Sequence, residues 1–171
     1  LREGKLSELK GYMQSFDAAL DMSQSTVYCK NPIINSVCNA YAKKAKQAQI
    51  EIFFNIVVPE QIGIDNVDLT CIFGNVLENA IEGCLRLSDG WPREVAVTAR
   101  AIDGRLRLQV ENTCRDDIAF EGDLPKTQKQ NGGTGIKSLI YTAERYEGTL
   151  GFSISNGKFI TQIVLNELHK S

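Results

Sequence analysis

The sequence holds little of what most often marks a site or a destination. One histidine, His169, stands near the C-terminus of 171 residues, too few imidazoles for a zinc centre. No apolar run approaches the length of a bilayer span, and no secretory signal opens the chain. Neither sign of charge dominates: 19 Lys and Arg face 21 Asp and Glu, for a net charge of −2. With a pI near 5.5 there is no electrostatic reason to expect nucleic acid or an anionic membrane surface as partner. The five cysteines (Cys29, Cys38, Cys71, Cys84 and Cys114) are odd in number and show no C-x-x-C spacing. Three of them, Cys38, Cys71 and Cys84, fall on apolar helix faces, where a thiol acts as a small hydrophobe. That usage suits a reducing, cytosolic compartment. The chain begins at Leu1 and not at methionine, so it reads as a piece of a longer protein. Any membrane segment would then lie upstream.

What is present suits one globular domain with an appendage: 43% hydrophobic and 23% charged residues over 171 positions. The most informative stretch is 65–87. Leu69, Ile72, Phe73, Val76, Leu77, Ala80, Ile81, Cys84 and Leu85 recur at the i, i+3, i+4, i+7 spacing of a buried helical stripe. The opposite side of the same turns carries Asn75, Glu78, Asn79 and Glu82, two carboxamides and two carboxylates projecting together. No cation interrupts that face before Arg86. An oxygen-rich cluster of this kind suits a hard cation such as magnesium held between protein and phosphate. A solvated helix face is the plainer reading.

A second signal bears on the choice. Further along, Asn131-Gly132-Gly133-Thr134-Gly135-Ile136 opens another amphipathic helix. Glycines before a helix leave backbone N–H groups open to an anion, and the helix dipole adds to the attraction. A magnesium-type face together with a phosphate-type helix start suggests a nucleoside triphosphate.

The remaining elements follow in order. Residues 1–20 read as a helix whose Leu6, Leu9, Met13, Phe16 and Leu20 alternate steps of three and four, a coiled-coil seam. A dimerisation or docking helix is preferred to one packed on its own domain. After a linker at 23–30, Asn31-Pro32 caps a helix running to about Gln49, and 51–58 forms a strand ended by Pro59. Strands at 93–102 and 105–112 are joined by Asp103-Gly104, and strands at 149–155 and 158–166 by Asn156-Gly157, both two-residue hairpin signals. Leu106, Leu108, Val110 and Asn112 share a face, which aims a carboxamide inward at a strand end; a turn-forming Asn is the alternative. The aperiodic stretch 113–130, with Lys126 and Lys129, has the length of a lid or binding loop.

The order of these elements resembles the ATP-binding fold shared by gyrase, the heat-shock chaperone, histidine kinases and the mismatch-repair ATPase, the GHKL superfamily, over 31–168. Asn75-Val-Leu-Glu-Asn79-Ala-Ile-Glu82 looks like its N-box and Gly133-Thr134-Gly135-Ile136 like its last glycine box. The resemblance implies an α+β fold: a two-layer α/β sandwich of the Bergerat type, with a mixed, mostly antiparallel sheet and helices on one face, preceded by one dimerisation-type helix. It implies ATP and Mg2+ as cofactors. Asn79 would coordinate magnesium, Asn75 would support metal or phosphates, and Glu82 would complete the box. The backbone around Gly133 and Gly135 would receive phosphates, and Asn112 would lie at the adenine. Lys126 and Lys129 would reach the phosphates from the lid, unless they are solvated loop charges.

Two details choose the branch. Hydrolytic members carry a glutamate where Asn75 stands, and a carboxamide cannot accept a proton from water at neutral pH. This favours the histidine kinases, whose acceptor is a side chain. The usual Asp-x-Gly box reads Asn112-Thr113-Cys114 here, which forfeits a charge-assisted bond to adenine. Together with Tyr28-Cys29-Lys30-Asn31-Pro32 it resembles the sensor kinases that read peptide pheromones in Gram-positive bacteria.

The expected organisation is therefore the second helix of a phosphoacceptor hairpin at 1–22, a linker at 23–30, and an ATP-binding catalytic domain at 31–171. The expected partners are ATP, a second copy through the N-terminal helix, and a response regulator. The acceptor histidine would lie upstream of Leu1, and His169 would be a surface residue. Glu78 would orient or deprotonate the incoming imidazole, or else hydrogen-bond the metal's ligands. A nucleotide-gated interaction module and a serine kinase regulating sigma factors are the alternatives.

Overall fold

The computed structural model describes residues 25–115, 117–126 and 134–167. Expectations that rest on the helix at 1–20, on Lys129, on Gly133 or on His169 lie outside the described residues.

The first two helices start where the sequence supplies a cap. Asn31 accepts a hydrogen bond from the Ile34 amide at 3.0 Å, and Pro32 opens α1 (Pro32–Gln47), where its missing N–H costs nothing. Strand β1 (Glu51–Val57) follows, then Asp65 caps α2 (Asn66–Leu85) by accepting from Val67 N at 2.8 Å. Strands β2 (Glu94–Ile102) and β3 (Arg105–Thr113) form the first hairpin. Asp103 and Gly104 both sit at positive φ, 51° and 67°, the backbone that a two-residue hairpin turn requires. The short strands β4 (Phe120–Glu121) and β5 (Leu124–Pro125) precede α3 (Thr134–Arg145). A second hairpin, β6 (Thr149–Ser155) and β7 (Lys158–Asn166), turns at Asn156 and Gly157 with φ of 51° and 70°.

Five strands make one sheet in the order β1-β2-β3-β7-β6. β1 runs parallel to β2 and every other pair is antiparallel. The register aligns Ala99 with Leu108 and Leu108 with Ile163, so one face is largely apolar, with Thr161 and Asn112 as polar members toward one end. The three helices lie on that face: α2 over β2 and β3, α1 beside it over β1, and α3 on its other side over β6 and β7. Phe73, Leu77 and Ile81 of α2 are fully buried against Val95, Val97, Leu106 and Leu108. Burial of each such side chain contributes about 1.5–3 kcal/mol. The expected α+β sandwich with a mixed, mostly antiparallel sheet is the observed architecture.

Two local expectations are revised. Leu85 is exposed, because α2 ends there and the chain turns so that Leu87 takes the buried place. The stretch expected as an irregular loop contains the β4–β5 ladder, turned at Gly122 with φ 61° and closed by Lys126 N donating to Ala119 O at 2.8 Å.

Candidate functional site

The polar face of α2 is half-buried, not solvated: Asn75, Glu78, Asn79 and Glu82 are all of intermediate exposure. It is flanked by the two neighbouring helices. The first turn of α3 abuts it so closely that a β-carbon on Gly135 would lie 3.5 Å from Asn75 Oδ1 and 3.9 Å from Asn79 Oδ1. The N-terminal end of one helix thus meets two carboxamide oxygens of another. That juxtaposes an electropositive backbone end and hard oxygen donors, which is chemistry for an anion and a hard cation side by side.

From the other flank comes a cation that the sequence of α2 lacks. Lys44 of α1 donates to Glu78 Oε1 at 2.7 Å and to Oε2 at 2.6 Å, so both carboxylate oxygens are engaged. One turn beyond Asn79, the same side of α2 meets β3. A β-carbon on Gly83 would stand 2.5 Å from Asn112 Nδ2, which itself donates to Thr113 O at 3.0 Å. Asn112 is buried, 4% exposed, at the strand end where the alternation aims it. Asn75, Asn79 and Gly83 therefore form a line along α2, with Gly135 against its start and Asn112 against its end. Lys126 is exposed just past β5 and, among the described residues, makes no ion pair with α2 or α3.

The relation of α2 to α3 is fixed at a second point. Asp68, in the first turn of α2 and nearly buried, accepts from Arg145 Nη1 at 2.8 Å and from Tyr146 Oη at 2.7 Å. Tyr146 Oη in turn accepts from Asp65 N at 3.0 Å. Burial pushes the Tyr146 phenol up to about 12, with the Asp68 bond adding to the rise. Beyond Asn112, the Thr113 hydroxyl meets Lys158 Nζ at 3.2 Å, which is paired to Glu94 at 2.7 Å. The Cys84 thiol, pushed up by burial, points at the Thr113 and Glu94 carbonyls. None of the five cysteines is part of a disulfide.

Sequence reasoning missed Lys44, Gly83 and Asp68. A glycine inside an otherwise regular helix was the one available sign of close approach at Gly83. Lys44 lies 34 positions from its partner, and Asp68 lies 77 and 78 from its two, so no local spacing marks either.

Helices laid over one face of a mixed sheet, with this meeting of helix end and carboxamides, define a two-layer α+β sandwich. The model of the GHKL domain family matches residues 64–166, and the chain belongs to that family. No curated protein sequence matches it. The catalytic domain of the histidine kinase ThkA is 15% identical, with a TM-score of 0.63 over 79% of this chain and 90% of that one. The histidine kinase domain of the blue-light activated kinase of Erythrobacter litoralis EL346 is 15% identical, TM-score 0.61, over 92% and 72%. Full-length ShkA in complex with AMPPNP is 19% identical, TM-score 0.57, over 94% of this chain and 35% of that one.

Proposed function

We propose that the chain is the ATP–magnesium-binding catalytic portion of a two-component sensor histidine kinase, acting on a histidine upstream of residue 1. The observation that carries this reading is the contact of Gly135 with Asn75 and Asn79, which joins the two boxes the sequence holds apart. Among the described residues no group of three or more His, Cys, Asp or Glu could hold a metal by itself. Asn79, with Asn75, fits magnesium as a hard oxygen donor that needs phosphate oxygens to complete its shell. Bound there, the ion would neutralise charge on the transferred phosphoryl group.

In this reading the chain's own work is positioning and charge neutralisation. The backbone at Gly135 holds phosphate oxygens at the start of α3, and Asn112 accepts at the adenine through a neutral carbonyl. The imidazole nitrogen attacks the γ-phosphorus as the bond to the β,γ-bridging oxygen breaks, and ADP leaves. Asn75 in place of a carboxylate leaves water unactivated, so the phosphoryl group passes to a side chain. Residues 1–22 supply the dimer contact in the full protein, 31–171 the catalytic domain, and a response regulator receives the phosphoryl group. Asn112-Thr113-Cys114 and the Tyr28–Pro32 motif support placement among the peptide-pheromone sensors of Gram-positive bacteria. Among the described residues no helix is long and apolar enough to cross a membrane, and attachment to one would lie with upstream segments.

Calorimetric titration with ATP and ADP, with and without magnesium, tests the reading on this chain and on Asn79→Ala. Magnesium-dependent binding that Asn79→Ala abolishes is the expected result. A folded wild-type chain that binds neither nucleotide overturns it.

A further inference from the structure

The charge on the polar face of α2 is balanced from a different helix. Glu78 directly precedes Asn79 and follows Asn75 by three residues, so its carboxylate stands on the polar face of α2, at the flank toward α1, beside the two carboxamides that meet Gly135. Left alone, that charge would oppose any polyanion brought to the face. It is not left alone: one ammonium, Lys44 Nζ, lies 2.6–2.7 Å from both of its oxygens. The two side chains are 47% and 34% exposed, and half-exposed pairs add little to stability. The effect of the pair on local charge is larger than its effect on the fold.

Resting on the ATP reading above, we propose that Lys44 is a positioning residue for the phosphates: it holds Glu78 neutralised so that the Asn75–Asn79–Gly135 face admits a triphosphate. ATP carries more negative charge than ADP, so the benefit is greater for ATP.

A double-mutant cycle tests this, with calorimetric affinities for magnesium ATP and magnesium ADP on wild type, Lys44→Met, Lys44→Arg, Glu78→Gln and Lys44→Met/Glu78→Gln. Lys44→Met is expected to weaken ATP roughly tenfold, the scale of one uncompensated like charge several ångströms away in a partly solvated site. ADP weakens less. Lys44→Arg stays near wild type. The double variant recovers ATP affinity, because without the Glu78 charge nothing needs balancing. The melting temperature without nucleotide stays nearly constant across the set, which separates the effect from a structural one. Unchanged ATP affinity in Lys44→Met overturns the proposal, as does an equal loss in the single and double variants. A wild-type chain that binds neither nucleotide removes the ATP reading itself, whereas binding that ignores Lys44→Met removes only this inference.

Discussion

Gly83 and Asn112 are in contact without a β-carbon between them: one placed on Gly83 would stand 2.5 Å from Asn112 Nδ2. Glycine inside a helix normally costs about 1 kcal/mol relative to alanine. At this position the closeness of β3 outweighs that cost, because the carboxamide it would strike is buried and cannot swing into solvent. Gly83→Ala is expected to destabilise the chain by about 1–2 kcal/mol in denaturant unfolding. In an Asn112→Ala background the obstruction is gone, and the same substitution becomes neutral or stabilising. The change of sign is the test, and a Gly83→Ala that stabilises the unaltered chain defeats the argument.

Tyr146→Phe removes a donor to Asp68 and an acceptor for Asp65 N at once. Asp68 keeps Arg145 alone. A loss of about 1–3 kcal/mol is expected, the scale of leaving buried polar groups short of partners. The pH dependence carries a sign. Burial raises the phenol from 10 to about 12 in the folded chain, so the native state holds this proton more tightly. The stability it contributes is whole below pH 10 and lost as pH rises toward 12. Wild type should therefore lose stability across that window faster than Tyr146→Phe. Parallel curves would show that Tyr146 ionises there as it does in the unfolded chain.

Gly148→Ala should be more damaging than Gly83→Ala. A β-carbon there would fall on the Val164 carbonyl and press on Leu165 Cα, backbone atoms of a central strand that cannot move aside. About 2–4 kcal/mol of stability should be lost. Gly151→Ala, three residues on in β6, meets nothing within 4 Å and is expected to be neutral or slightly stabilising. Similar melting temperatures for the two variants would contradict the geometry.

Asn31 does two jobs at the start of α1, accepting from Ile34 N and donating to Glu60 O at 3.1 Å. Asn31→Ala should cost about 1–2 kcal/mol, and Asn31→Asp should recover the cap but not the link to Glu60. Denaturant midpoints in the order wild type, Asp, Ala are expected. An Asp variant as weak as Ala would place the whole effect on Glu60.

Local chemistry made much of the fold legible in the sequence. The caps made by Asn31 and Asp65 and the turns at Asp103-Gly104 and Asn156-Gly157 each form within four residues of themselves. The alternation of β3 likewise foretold that Asn112 would be buried. The β4–β5 ladder escaped notice because two-residue strands show no alternation to detect. The face of α2 was visible as a set of oxygens, but its surroundings were not. The cation against Glu78, the backbone end against Asn75 and the clasp on Asp68 all arrive from helices far along the chain, and only the packing of α1 and α3 on either side of α2 brings them there.

Because β1 and β2 run parallel, the chain has to travel back along the sheet between them, and α2 is that return path. The edge strand and the helix bearing Asn75 and Asn79 are therefore consecutive parts of one crossover connection. Edge and carboxamide face should open together as one cooperative unit in hydrogen exchange. A ligand gripped only by the middle of α2 would then protect the amides of β1, residues it never touches, by mass action on that shared opening.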